Sequence, residues 1–193
     1  MAGPNQTISG AGGIKSAEAF GAPTVWQTAN LARLWFADAR REAAIPDRDA
    51  RRREVLFSMI AAETYLYEWV RDVVLDRDFQ RIDQFFPPGN PSPILEKWKR
   101  VPEKLRSDGL VSGVPDLSGR TWARFDKLVK FRNGLLHGAA SRPQTSGLPP
   151  ENMPLPTMEE LYALPAGWCV QVVSDLIAEL STATGIPQLR LAD

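Results

Sequence analysis

Between residues 49 and 76 the apolar side chains Leu56, Met59, Ile60, Leu66, Tyr67, Val70, Val73 and Val74 recur every three or four positions, the period of one helix face. No segment alternates apolar and polar residues over a convincing strand length, and no internal repeat is present. Helical spacing marks four further segments. The first runs from Thr24, a candidate N-cap, to about Ala44, with Leu31, Leu34 and Trp35 on its apolar stripe. The next, Pro93 to Leu105, is one that Pro102 is expected to break or kink. A third begins near Ser118 or Thr121 and carries Trp122, Phe125, Leu128, Val129, Leu135 and Leu136. The last spans Thr157 to Thr184, with Cys169, Val172, Val173, Leu176 and Leu180 and a break near Pro165. Asp47 or Asp49 is placed to cap the long helix. Proline-rich connectors over 79–93 and 139–157, and a turn region over 107–118, separate the segments. These spacings predict an all-α fold: a single helical-bundle domain of about five helices over residues 23–186. The Gly-, Ala- and Ser-rich residues 1–22 are expected to form a loose tail, and 187–193 a short C-terminal one.

The chain has 193 residues, enough for one real core. It holds one cysteine and one histidine, which excludes an internal disulfide and most protein-built zinc sites within one subunit. No metal ligand set is visible, and neither a metal nor another cofactor is expected. Formal net charge is zero, so a nucleic-acid role would rest on a local basic patch. The absence of a long apolar run and of a secretory leader pattern leads to the expectation of a cytoplasmic, non-membrane protein.

One short stretch concentrates chemistry-bearing residues: Phe131-Arg132-Asn133-Gly134-Leu135-Leu136-His137-Gly138. An imidazole moves protons near neutral pH, and a guanidinium grips a phosphate with several donors at once. Arg132 interrupts the apolar stripe of its helix, as Glu63 does on the long one. A carboxylate there either stands at the stripe's exposed edge or pairs with a base from another helix, for which Arg132 is the candidate. Arg132 and His137 are about 140° apart on an ideal helix. Either the helix loosens at Gly134 or Gly138, or a second copy of the motif completes the site. Between 117 and 142, Arg120, Arg124, Lys127, Lys130, Arg132 and Arg142 face the single acid Asp126. This is the local basic patch, read as RNA-binding through Arg120, Arg124, Lys127 and Lys130 or as a solvated helix face. Tyr65, Tyr67 and Trp69 read as core or interface aromatics in preference to a base-stacking platform. Cys169 reads as a small core residue rather than a nucleophile.

A long second helix, a shorter third, and Arg-Asn-x-x-x-His closing a late helix resemble the HEPN superfamily. In that family Arg-x(4–6)-His, often with a polar residue after the arginine, marks the active site of metal-independent endoribonucleases. The resemblance extends over roughly residues 24 to 184 and carries over onto Arg132, Asn133 and His137, with Glu63 as the supporting acidic residue. It implies a homodimer whose two motifs face one cleft, an RNA substrate, and cleavage by attack of the ribose 2′-hydroxyl. Such an enzyme would act alone or as a toxin or phage-defence effector held silent by an antitoxin or regulatory protein. The alternative is a noncatalytic helical module that binds a partner protein or a nucleotide, with Arg132 and Glu63 as a buried structural pair.

Overall fold

The computed structural model describes residues 30–74, 82–87, 92–137 and 157–187. The expected tail over 1–22, all of the expected 187–193 tail but Pro187, Gly138, and the connector over 139–156 lie outside these. The described regular structure is entirely α-helical, in the order α1 (Leu31–Ala43), α2 (Arg48–Val74), α3 (Ile82–Phe85), α4 (Ile94–Ser107), α5 (Arg120–His137), α6 (Met158–Ala163) and α7 (Trp168–Thr184). Five long helices match the sequence expectation. The last expected helix, Thr157 to Thr184 with a break near Pro165, is divided there into α6 and α7, and the one extra piece, α3, is a short helix beside a proline, where periodicity has too few residues to register. None of these helices is long and apolar enough to cross a membrane.

Helix α2 is the axis of the bundle. It packs against α1 along its length and also meets α3, α4, α5, α6 and α7. It therefore buries residues on most of its circumference, including Ala50, Val55, Met59, Ala62, Tyr65, Leu66, Trp69 and Val70. A helix covered on so many sides shows no single clean stripe. Part of the apolar stripe expected on it, Ile60 and Tyr67, is exposed. On α1 the expectation fails in the same way. Leu31 and Leu34 are exposed, and the buried face is Ala32, Phe36 and Ala39, where the two small alanines allow close approach to α2 and Phe36 fills the core.

The helix ends explain several boundaries. Asn30 caps α1, accepting from Arg33 N–H at 3.0 Å; Thr24, the expected cap, lies outside the described residues. Asp47 caps α2 through the N–H groups of Asp49 and Ala50, both at 3.0 Å, and these bonds hold its carboxyl below the usual range. Pro102 does not end α4, which continues to Ser107 with the Pro102 ring buried. The helix stops where Gly109 takes φ +69° and the N–H groups of Gly109 and Leu110 reach back to Arg106 and Leu105. That reciprocal pattern needs a left-handed residue, which glycine supplies without strain.

Two carboxylates of α2 cap other helices from the side. Glu68 accepts from Leu31 N–H at 2.8 Å at the start of α1. Glu54, fully buried, accepts from Cys169 N–H at 3.1 Å at the start of α7 and from Arg51 Nη1 at 2.5 Å. Arg51 also donates to the Leu164 carbonyl at 2.7 Å, so the buried ion pair fastens α2, the α6–α7 connector and α7 together. Burial, aided by the Glu54 carboxylate, pushes the Cys169 thiol well up. The thiol therefore stays protonated and behaves as a small apolar residue.

Candidate functional site

Helix α5 carries the motif and lies between α7, α2 and α4. Phe125, Leu128, Val129 and Phe131 anchor it in the core. Phe125 meets Trp98 of α4 edge-on at 5.7 Å, and Phe131 meets Trp168 of α7 at 6.1 Å with perpendicular rings. These contacts fix the rotation of α5, so Arg132, next to Phe131, is turned toward α2 and α4. There it lines an open cleft of about 500 Å³ together with Glu63 and Ile60 of α2, Lys97 of α4 and Leu136 of its own helix.

Within that cleft the pairing differs from the sequence expectation. Glu63 is half-exposed and forms its ion pair with Lys97, not with Arg132. The reason is positional: α4 brings the Lys97 stem over the Glu63 turn of α2. Arg132 Nη1 instead donates to the Asn133 side-chain oxygen at 3.1 Å, and no carboxylate among the described residues lies in ion-pair range of it. Among the described residues, most of the guanidinium's donors therefore have no acceptor and face the cleft. Lys97 is the site residue that sequence reasoning passed over. Its signal was present as a lysine one turn into the helix after Pro93, but only the fold brings it beside residue 63.

His137 is the last residue of α5. The helix runs without a break through Gly134, so loosening there does not bring residues 132 and 137 onto one face. Their backbone positions remain about 140° apart around the axis. Leu136, beside His137, is 52 % exposed.

The expected RNA-binding residues lie elsewhere on α5. Arg124 is bound to Asp175 of α7 at 2.6 Å and stands over the Trp168 ring. Lys130 pairs with Asp126 at 2.6 Å, Lys127 sits over the Phe131 ring, and Arg120 is exposed at the helix start. Arg120, Arg124 and Lys127 share the side of α5 that faces α7, away from the cleft at Arg132. Of the three neighbouring aromatics on α2, Tyr65 and Trp69 are in the core, whereas Tyr67 is 45 % exposed. No group of three or more potential metal ligands occurs among the described residues.

No family model, no curated protein and no solved structure matches this chain.

Proposed function

We propose that the protein is a metal-independent endoribonuclease of the kind its Arg-Asn-x-x-x-His motif resembles, acting on RNA through Arg132, Asn133 and His137. One observation carries this reading. Arg132 opens on a cleft with a neutral neighbour as its bonding partner and no carboxylate among the described residues in range. Arg51 and Arg124, which fasten helices to one another, each hold a carboxylate. An arginine kept for a phosphate stays free of one.

In the proposed reaction the ribose 2′-oxygen attacks the adjacent phosphorus, and the bond to the 5′-oxygen breaks. The proton of the 2′-hydroxyl passes to a base, and an acid delivers one to the departing 5′-oxygen. The products are a 2′,3′-cyclic phosphate and a 5′-hydroxyl. His137 is the proton-transfer group, and Arg132 stabilises the charge that grows on the phosphoryl oxygens. Asn133 positions the guanidinium by accepting its Nη1 proton. With one histidine per chain and a continuous helix between the two motif residues, a two-fold homodimer supplies the second proton-transfer group. The exposed Leu136 supports pairing at that end of α5.

The test uses purified wild type, His137→Ala and Arg132→Ala on the same RNA with EDTA present and product ends mapped. Both variants are expected to remain folded and to lose cleavage. Equal activity in wild type and His137→Ala, or products with 5′-phosphates, would remove the assignment. The second reading, a noncatalytic module that binds a partner protein or nucleotide, draws on the apolar rim of Ile60, Tyr67 and Leu136. It predicts no cleavage by the wild type. Its buried Arg132–Glu63 pair is not made, because Lys97 takes Glu63.

A further inference from the structure

Beside the cleft at Arg132 lies a second lobe of about 430 Å³, and the two share Ile60, Glu63 and Lys97 as a common wall. We propose that this second lobe is a nucleobase subsite, in which a base of single-stranded RNA stacks on Tyr67 while its neighbouring phosphate is held by Lys97 and Arg132. The proposal rests on the ribonuclease reading of the first lobe and adds to it a residue that grips the substrate.

Three segments converge to build the lobe: α2 with Ile60, Glu63, Thr64 and Tyr67, the residue Phe86 just after α3, and α4 with Lys97. The α2 residues fall at spacings of three and four, hence on one face. Tyr67 lies one helical turn, about 6 Å of rise, beyond Glu63. Its ring is nearly half-exposed in a bundle that buries Tyr65 and Trp69 almost completely. The Phe86 ring stands 5.2 Å from it at a tilt of 45°, so the pair forms an angled wall without stacking on itself. An exposed aromatic face is what a base stacks on, and every base has such a face. The Thr64 hydroxyl and Glu63 carboxylate supply a donor–acceptor and an acceptor for a base edge.

The charges favour nucleic acid over a protein partner. Interface cores between proteins are depleted in lysine and glutamate, whereas here a Lys97–Glu63 pair forms the shared wall, with Arg132 beside it. The three lining charges sum to one net positive. Lys97 has three donors and can share them between Glu63 and a phosphate oxygen.

The test measures binding of a short single-stranded oligoribonucleotide carrying 2′-O-methyl groups, which blocks the proposed cleavage. Tyr67→Ala is expected to weaken binding roughly five- to 150-fold, the range that base–aromatic stacking carries on alanine substitution. Tyr67→Phe should stay within about twofold. Tyr67→Ala should leave the slope of log affinity against log salt unchanged, while Lys97→Gln should reduce it by about 0.7, the loss of one phosphate contact to a single strand. The Tyr67 ring is exposed enough for these variants to fold, which circular dichroism verifies. Unchanged binding by Tyr67→Ala, with Arg132→Ala weakened, would overturn the base subsite and leave the phosphate site standing. Failure of the wild type to bind the oligonucleotide would overturn both. Conversion of a wild-type dimer to a monomer by Tyr67→Ala would overturn the subsite in favour of a protein interface.

Discussion

Glu54 and Arg132 offer a sharp separation of stability from activity. Glu54 is fully buried, and its two oxygens receive Arg51 Nη1 and Cys169 N–H. In Glu54→Ala the Arg51 guanidinium, only 12 % exposed, keeps its bond to the Leu164 carbonyl but loses its counter-charge. Breaking one side of such a buried pair costs about 3–5 kcal/mol, and the lost cap on α7 is part of that figure. With a urea slope of about 2 kcal/mol per molar, the midpoint should fall by roughly 1.5–2.5 M. Because total stabilities are only about 5–15 kcal/mol, two gentler variants accompany it. Glu54→Gln keeps an acceptor for Cys169 and should lose about 1–3 kcal/mol. The double variant Arg51→Met/Glu54→Leu should lose less than Glu54→Ala, since it leaves no stranded charge. Arg132→Ala, which removes a partly exposed side chain bonded to its own neighbour, should cost less than about 1 kcal/mol. Urea titrations followed by far-ultraviolet circular dichroism decide the matter. A loss under 1 kcal/mol for Glu54→Ala, or a larger loss for Arg132→Ala than for Glu54→Ala, would refute the assignment of the buried pair.

Two glycines should respond in opposite directions to alanine, read as thermal midpoints. At Gly113 a Cβ would fall 2.5 Å from the Ala183 carbonyl oxygen, a backbone atom that cannot swing aside, so Gly113→Ala should destabilise by about 1–3 kcal/mol. At Gly134, inside α5, a Cβ would meet nothing within 4 Å, so Gly134→Ala should stabilise by about 0.5–1 kcal/mol. Burial raises the Glu68 carboxyl above its ordinary value of 4.5, although the N–H groups of Leu31 and Ala32 oppose the shift. The folded protein therefore holds this proton more tightly than the unfolded chain. That contribution is present in full below the unfolded value and is lost as pH rises through the folded one. Urea midpoints of wild type relative to Glu68→Gln should accordingly fall as pH rises from 4.5. A difference independent of pH, or one that grows with pH, would contradict this.

The helical class and the approximate place of the long helices were legible in the sequence because both follow from local signals. A period of three to four residues, an aspartate at 47 before a helical run, a glycine at 109 after one and a proline at 165 between two all act within a few positions. The motif Arg132-Asn133-x-x-x-His137 was legible for the same reason, as was the core role of the α7 stripe through Cys169, Val172, Val173 and Leu176. Which face of a helix is buried was not, wherever several neighbours compete for it. Leu31 and Leu34 lost the core to Ala32, Phe36 and Ala39, because α1 turns the side with two small alanines and one core aromatic toward α2. The pairing of charges was equally out of reach. Glu63 meets Lys97 across 34 positions, and Glu54 meets Cys169 N–H across 115. Electrostatic partners are chosen by distance in space, which the chain acquires only when α2, α4, α5 and α7 have packed. The sequence therefore determined the helices and the motif, and tertiary packing decided that Arg132 lines a cleft with no carboxylate among the described residues in range while Glu54 and Arg51 hold the buried pair.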